Sequence, residues 1–160
     1  MAGKKESTSS SHIKNICRNR RATFEYEIFD RIEAGIVLVG TEVKSLRAGK
    51  AMLEDAYARV DDGELWLIGC EIPEYEMGTH KNHKPKRPRK LLLHHREMTK
   101  LSEKITQKGF TIIPLQMYFK DGKVKVEVAV GRGKQLHDKR ESLKKADAKR
   151  DIQRAMIRRR

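Results

Sequence analysis

Between Thr111 and Val130 the chain alternates twice. Ile113, Leu115, Met117 and Phe119 fall on every second position, and Val124, Val126, Val128 and Val130 do the same against Lys123, Lys125 and Glu127. Asp121-Gly122 separates the two runs. Side chains of a strand point alternately to opposite faces, so this pattern around an Asp-Gly turn specifies an antiparallel hairpin with one apolar face. Pro114 cannot donate to a ladder and places an edge or bulge in the first strand. The same signal recurs where Tyr57-Ala58-Arg59-Val60 and Leu65-Trp66-Leu67-Ile68 flank Asp61-Asp62-Gly63. Phe24, Tyr26 and Ile28 alternate with Glu25 and Glu27 and predict a further strand.

Ile36-Val37-Leu38-Val39 is a short β-branched run that reads as a buried strand. Gly40 breaks it, Thr41 is placed to N-cap a short helix ending near Arg47, and Gly49 is placed to stop that helix in a left-handed conformation. This brings Lys44, Arg47 and Lys50 close together, while Gly35, two residues after Glu33, offers a sharp bend. Met77 to Lys90 contains Gly78, Pro85 and Pro88 without apolar periodicity and reads as a loop. Leu91-Leu92-Leu93 is a short apolar run. His94 to Lys108 reads as a helix that Gly109 terminates, with Met98, Leu101 and Ile105 facing the body and Arg96, Lys100, Lys104 and Lys108 forming a basic ridge. The expected fold is mainly β: about six strands with a few flanking helices in a small closed antiparallel barrel of the oligonucleotide-binding type, because closure removes exposed edges. A half-open β-sandwich is the structural alternative.

Charge divides the chain further. Residues 1–21 carry 6 basic and 1 acidic residues, residues 22–130 carry 18 and 17, and residues 131–160 carry 12 and 4. The excess therefore sits at the two ends of a balanced body. Such ends suit a polyanion. No stretch is long and apolar enough to span a membrane, so nucleic acid is the expected partner and the cytoplasm the expected compartment. Three regions follow: a flexible N-terminal tail at 1–18, a barrel at 19–131 and a basic tail at 132–160. The Ser-, Lys- and Thr-rich start, to about Ile16, has almost nothing to bury. Gly131 and Gly133 read as a hinge, and Asp138 with Glu141 resembles a capping box that starts a helix. Ala148, Ile152, Ala155 and Met156 give that helix a narrow apolar stripe, so it is expected to be disordered when free and helical when bound.

Lys81 to Lys90, KNHKPKRPRK, holds six basic residues and no acidic one, a composition suited to phosphates. His80 and His83 lack a third ligand at convincing spacing, so no metal and no cofactor are expected. Cys17 and Cys70 match no zinc pattern and read as unpaired thiols. No nucleophile-base set or phosphate-cradling glycine loop appears in a recognisable context, and catalysis is not expected.

The stretch EAGI…L.GTEVKSLRAGKA, from Glu33 to Ala51, resembles the signature of the SsrA-binding protein (small protein B) family, and the resemblance runs from Asn19 to the C-terminus. It implies an adaptor that binds the tRNA-like domain of transfer-messenger RNA and delivers it to stalled 70S ribosomes, where the nascent chain is tagged. Elongation factor Tu is implied in the same complex, and the expected state is a monomer. Carried over by position, Asn19, Glu33 and Leu92 are expected to face RNA, and the basic residues Arg20, Lys44, Arg47, Lys86, Arg89 and Lys90 are expected to contact it beside them. Glu33 would accept from a base amino group or hold a basic side chain, and Leu92 would meet an unstacked base. Gly133, Lys134, His137, Asp138, Lys139, Arg140, Ile152 and Met156 are expected to meet the decoding centre and the empty mRNA channel. Gln135 replaces a basic residue usual in the family. A general RNA chaperone without a dedicated RNA is the rival reading, and a nuclease using Glu33 with His80 or His83 is a second.

Overall fold

The computed structural model describes residues 12–107 and 109–158. Seven strands and four helices follow in the order β1 Ile13–Arg18, α1 Ala22–Glu25, β2 Tyr26–Ile36, α2 Gly40–Arg47, β3 Tyr57–Asp61, β4 Glu64–Ile68, β5 Arg89–Leu92, α3 His95–Ile105, β6 Phe110–Lys120, β7 Lys123–Gly133 and α4 Leu136–Arg158. The two expected hairpins are β3–β4 and β6–β7. Asp62 and Gly63 have φ of 48° and 72°, and Asp121 and Gly122 have 50° and 78°. Positive φ at both central residues is the twist-matched turn that joins two-residue hairpins.

The pairings close on themselves: β6 to β3, β4, β5, β2, β7 and back to β6, all antiparallel. Six strands thus form the expected ring. Strand β1 lies outside it, pairing with Gln116 to Lys120 of β6, while β3 meets the same strand at Ile112. Pro114 falls between these two partners, where the β6–β7 register shifts. The core inside the ring includes Leu65, Leu67, Met117, Val126 and Val128, none more than 1% exposed. Leu101 closes one end from α3, with Met98 and Ile105 packed beside it. That is the predicted face of the helix, though α3 stops three residues before Lys108, which lies outside the described residues.

Within the expected flexible leader, residues 13–18 are instead strand β1, because β6 outruns β3 and leaves an edge for them. Residues 1–11 lie outside the described residues. In place of the two strands expected at 24–28 and 36–39 stands one 11-residue strand, β2, at Tyr26–Ile36; Phe24 and Glu25 belong to α1. Beyond Ile36 the ladder ends, so Val37 and Val39 stand 45% and 46% exposed instead of forming a buried strand. Gly35 lies straight within β2, where an added Cβ would come 3.3 Å from Leu92 Cβ. Its role is close approach of β5, not a bend. Gly131 is also closely approached, an added Cβ there lying 2.7 Å from Ile113 Cδ1 and 3.3 Å from Glu27 O and Tyr26 Cβ. Both Gly131 and Gly133 are paired in β7, so neither is a hinge.

The tail differs most. Leu136–Arg158 is a 23-residue helix rather than a disordered segment. It lacks Gly and Pro and is rich in good helix formers, over a length that exceeds the nucleation limit. Asp147 with Arg150 and Asp151 with Arg154 add spaced pairs along its surface.

Both thiols are inert by environment. Burial pushes the Cys17 thiol up to about 12 and the Cys70 thiol to about 11. The thiolate is the reactive form. Iodoacetamide at pH 8 is therefore expected to label neither cysteine until the chain unfolds, which intact-mass measurement reads. Rapid labelling of the folded chain contradicts this assignment.

Candidate nucleic-acid interface

Strands β2, β7 and β6 lie side by side, and their outer face gathers polar residues. Glu33 pairs across to Glu127 of β7, and Tyr118 pairs with Lys125. The Glu33 carboxylate spans β7 diagonally to accept the Tyr118 hydroxyl at 2.5 Å. It also accepts Lys120 Nζ at 3.0 and 3.1 Å. The Tyr118 hydrogen bond, aided by Lys120 and opposed by partial burial, holds the Glu33 carboxyl below its ordinary range, and burial with the same bond pushes the Tyr118 phenol up. Glu33 is therefore anionic and partly occupied, with Lys120 fixed beside it. Leu92, half exposed on β5, joins Glu33, Gly35, His94 and Lys125 around one shallow cavity. The structure thus brings two of the predicted residues, Glu33 and Leu92, to one place.

Two others are removed from the surface. Asn19 is only 4% exposed. Its Nδ2 donates to the carbonyls of Leu53 and Pro114 at 3.1 and 3.2 Å, and its Oδ1 accepts the Ala22 N–H at 3.1 Å. It latches the turn after β1 and starts α1, so its amide is engaged within the fold. Asn19→Ala is expected to cost about 1–3 kcal/mol, because it strands buried backbone groups. A denaturant titration with an unchanged midpoint contradicts this role. Arg89 is fully buried and ion-paired with Glu42, so its guanidinium faces the protein interior.

Glu42 is the residue that sequence reasoning missed. Its side chain is 0% exposed. Oε2 accepts the Val39 N–H at 2.9 Å, so Val39 and not Thr41 stands at the N-cap of α2. Thr41 instead bonds His83 Nδ1 at 2.9 Å. Burial raises the Glu42 carboxyl, but the hydrogen bonds from Arg87 and Val39, with Arg89 behind them, outweigh it and leave it below its ordinary 4.5. A depressed folded-state value contributes stability that is present above the unfolded value and lost as pH falls through the folded one, so this contribution disappears in acid below about 4.5. One signal was available: a loop with six cations needs an anion, and KNHKPKRPRK holds none. Tyr118 and Lys120 were also legible, since they share the outward side of an alternating strand.

The remaining predicted residues lie as follows. Arg20, Lys44 and Arg47 are exposed. Lys86 is exposed 3.4 Å from Glu71, and Lys90 pairs with Glu64. Gly133 ends β7, where it pairs with Tyr26. Lys134 fixes the root of the tail: its N–H donates to Glu25 O at 2.9 Å, and its Nζ donates to Thr23 O at 2.9 Å. His137, Asp138 and Arg140 are exposed on the first turns of α4, with Lys139 half-buried. Ile152 and Met156 are 58% and 66% exposed. His83 is buried, with Nε2 2.9 Å from Ile72 O, so both ring nitrogens are engaged. No trio of His, Cys, Asp or Glu able to hold a metal gathers among the described residues.

A closed six-stranded antiparallel ring with a charged outer face and a cationic helix at its end is a small barrel of the oligonucleotide-binding type. Residues 16–158 match the family model SmpB, described as "SmpB protein". The chain belongs to the SmpB family. It is 52% identical to an SsrA-binding protein of Thermobifida fusca (strain YX) over 160 residues, spanning 100% of both chains. It is 56% identical to one of Trichormus variabilis over 151 residues, 94% of this chain and 97% of the relative. A solved chain described as "tmRNA-SmpB: a journey to the center of the bacterial ribosome" matches with a TM-score of 0.64 at 47% identity, covering 79% of this chain and 93% of that chain.

Proposed function

We propose that this chain is the RNA-binding adaptor of ribosome rescue. Its barrel binds the tRNA-like domain of transfer-messenger RNA and brings that RNA to a stalled bacterial ribosome, and its tail probes the decoding centre and vacant mRNA channel. Family membership carries this reading, together with the likeness to the chain described with tmRNA and the bacterial ribosome. The division of charge supports it: α4 is cationic and exposed, whereas the body is balanced. The barrel contacts fall on Glu33, Lys120, Leu92, Lys44 and Arg47, and the tail contacts on His137, Asp138, Lys139, Arg140, Ile152 and Met156. The chain acts as a monomer in the cytoplasm beside elongation factor Tu, which supplies GTP hydrolysis. No described helix is long and apolar enough to cross a membrane. The chain performs no chemistry of its own.

Competition at physiological salt tests this reading. Transfer-messenger RNA is expected to displace unrelated tRNA from the full chain. Equal affinity for every folded RNA, lost together as salt rises, returns the general chaperone. Incubation of labelled RNA with a divalent metal is expected to leave it intact, and cleavage would favour the nuclease.

A further inference from the structure

The cationic loop before β5 keeps only part of its charge for a ligand. Arg87 clasps Glu42 through Nε at 2.7 Å and Nη2 at 2.6 Å. Arg89 Nε reaches the same carboxylate at 2.9 Å, and its terminal nitrogens take the carbonyls of Cys70 and Pro85 at 2.7 and 2.9 Å. A two-pronged guanidinium–carboxylate pair fixes direction as well as distance. Next to it, buried His83 bridges Thr41 and Ile72, and Asn82 closes on Tyr75 by donating to its carbonyl and accepting from its N–H. Helix α2 and the loop are therefore cross-braced by polar contacts that reach into the core.

Above this brace lies an open cavity. Thr41 and Lys44 form one wall; Lys81, Asn82 and Arg87 form the other. Lys44 and Lys81 are exposed, and Lys44 Nζ lies 5.2 Å from the Tyr75 ring centroid, a cation–π contact that restrains it. No Phe, Tyr or Trp lines the cavity, and its His83 and Arg87 are engaged in the brace by Thr41, Ile72 and Glu42.

We propose that this cavity takes a backbone phosphate of the bound RNA, held by Lys44 and Lys81, and that buried Glu42 is its positioning residue. The assignment rests on the RNA-binding reading above. By engaging both arginines, Glu42 sets the two lysine-bearing walls at one spacing before RNA arrives. An unbraced loop would lose that ordering entropy on every binding event. An acidic residue with no access to the ligand thus governs how a basic surface meets it.

The test is a salt series of titrations of the full chain with transfer-messenger RNA. Lys44→Ala combined with Lys81→Ala is expected to lower affinity about tenfold and to flatten the dependence of log affinity on log salt by about one unit. Arg87→Met releases the loop but leaves the buried Glu42–Arg89 pair intact, so the chain keeps its core. It is expected to bind as weakly as Lys81→Ala, and the two together are expected to lose no more than either alone, because one acts through the other. Circular dichroism of each variant separates lost binding from lost folding. An unchanged salt slope in the lysine variant overturns the phosphate site. Losses that multiply, or wild-type binding by Arg87→Met, overturn the positioning role. If wild type prefers transfer-messenger RNA no more than unrelated tRNA, the choice of RNA fails, while the slopes measured on tRNA still judge the cavity.

Discussion

A chain ending at Gln135 is expected to bind transfer-messenger RNA nearly as the full chain does and to give no tagged product on stalled ribosomes. The cut spares every strand, since β7 ends at Gly133, and it spares the Lys134 N–H bond to Glu25. What it removes is a helix of about 35 Å that touches α1 near its start and is otherwise largely exposed. Leu143, Ile152, Met156 and Ile157 are 50%, 58%, 66% and 71% exposed. Apolar side chains that remain exposed along a cationic helix await an external surface. On the proposed function that surface is the phosphate-lined mRNA channel, and counterion release adds to the contact. A truncated chain that still supports tagging contradicts the assignment. The isolated helix is cross-linked only by exposed pairs, which contribute little each. Its amide shifts are accordingly expected to report partial helix, whereas random-coil shifts would return the disordered tail.

Glu33→Ala is expected to weaken RNA binding on the order of tenfold to a hundredfold, the range of one or two charge-assisted hydrogen bonds. Two routes lead there. The carboxylate has further lone-pair positions for a base amino group after serving Tyr118 and Lys120. It also restrains Lys120, which is otherwise a free arm. Glu33→Gln separates them: it keeps an acceptor for Tyr118 but loses the charge that holds Lys120. A Gln variant as weak as Ala assigns the effect to Lys120, and a Gln variant near wild type assigns it to acceptance from the base. Filter binding that is unchanged in Glu33→Ala removes Glu33 from the interface. The barrel itself is expected to persist, because Glu33 is one-third exposed and its partners Tyr118 and Lys120 are met on the outer face of the sheet.

What could be read beforehand was whatever depends on near neighbours. Asp62-Gly63 and Asp121-Gly122 carry their turn in their own φ preference, and Leu101 declares its face by helical spacing. What escaped depends on partners far along the chain. Residues 13–18 are mostly exposed and carry no apolar pattern; only the overhang of β6 makes them a strand. Glu42 and Arg89 look like surface charges until two segments 47 residues apart meet inside the fold. Asn19 was placed at the interface by resemblance, yet it serves carbonyls 34 and 95 residues away. Glu33 and Leu92 were placed by the same resemblance, and the pairing of Gly35 with Leu92 brings them to one cavity. Buried polar residues thus escaped a reading in which charge meant exposure.

The claim on which the rest depends is that the body, without its tail, selects one RNA. Sequencing the RNA that copurifies with the full chain and with the chain ending at Gln135 tests it most directly. Transfer-messenger RNA is expected to dominate both pools to a similar degree. A truncated chain that recovers only a general mixture of tRNA and ribosomal RNA contradicts the account.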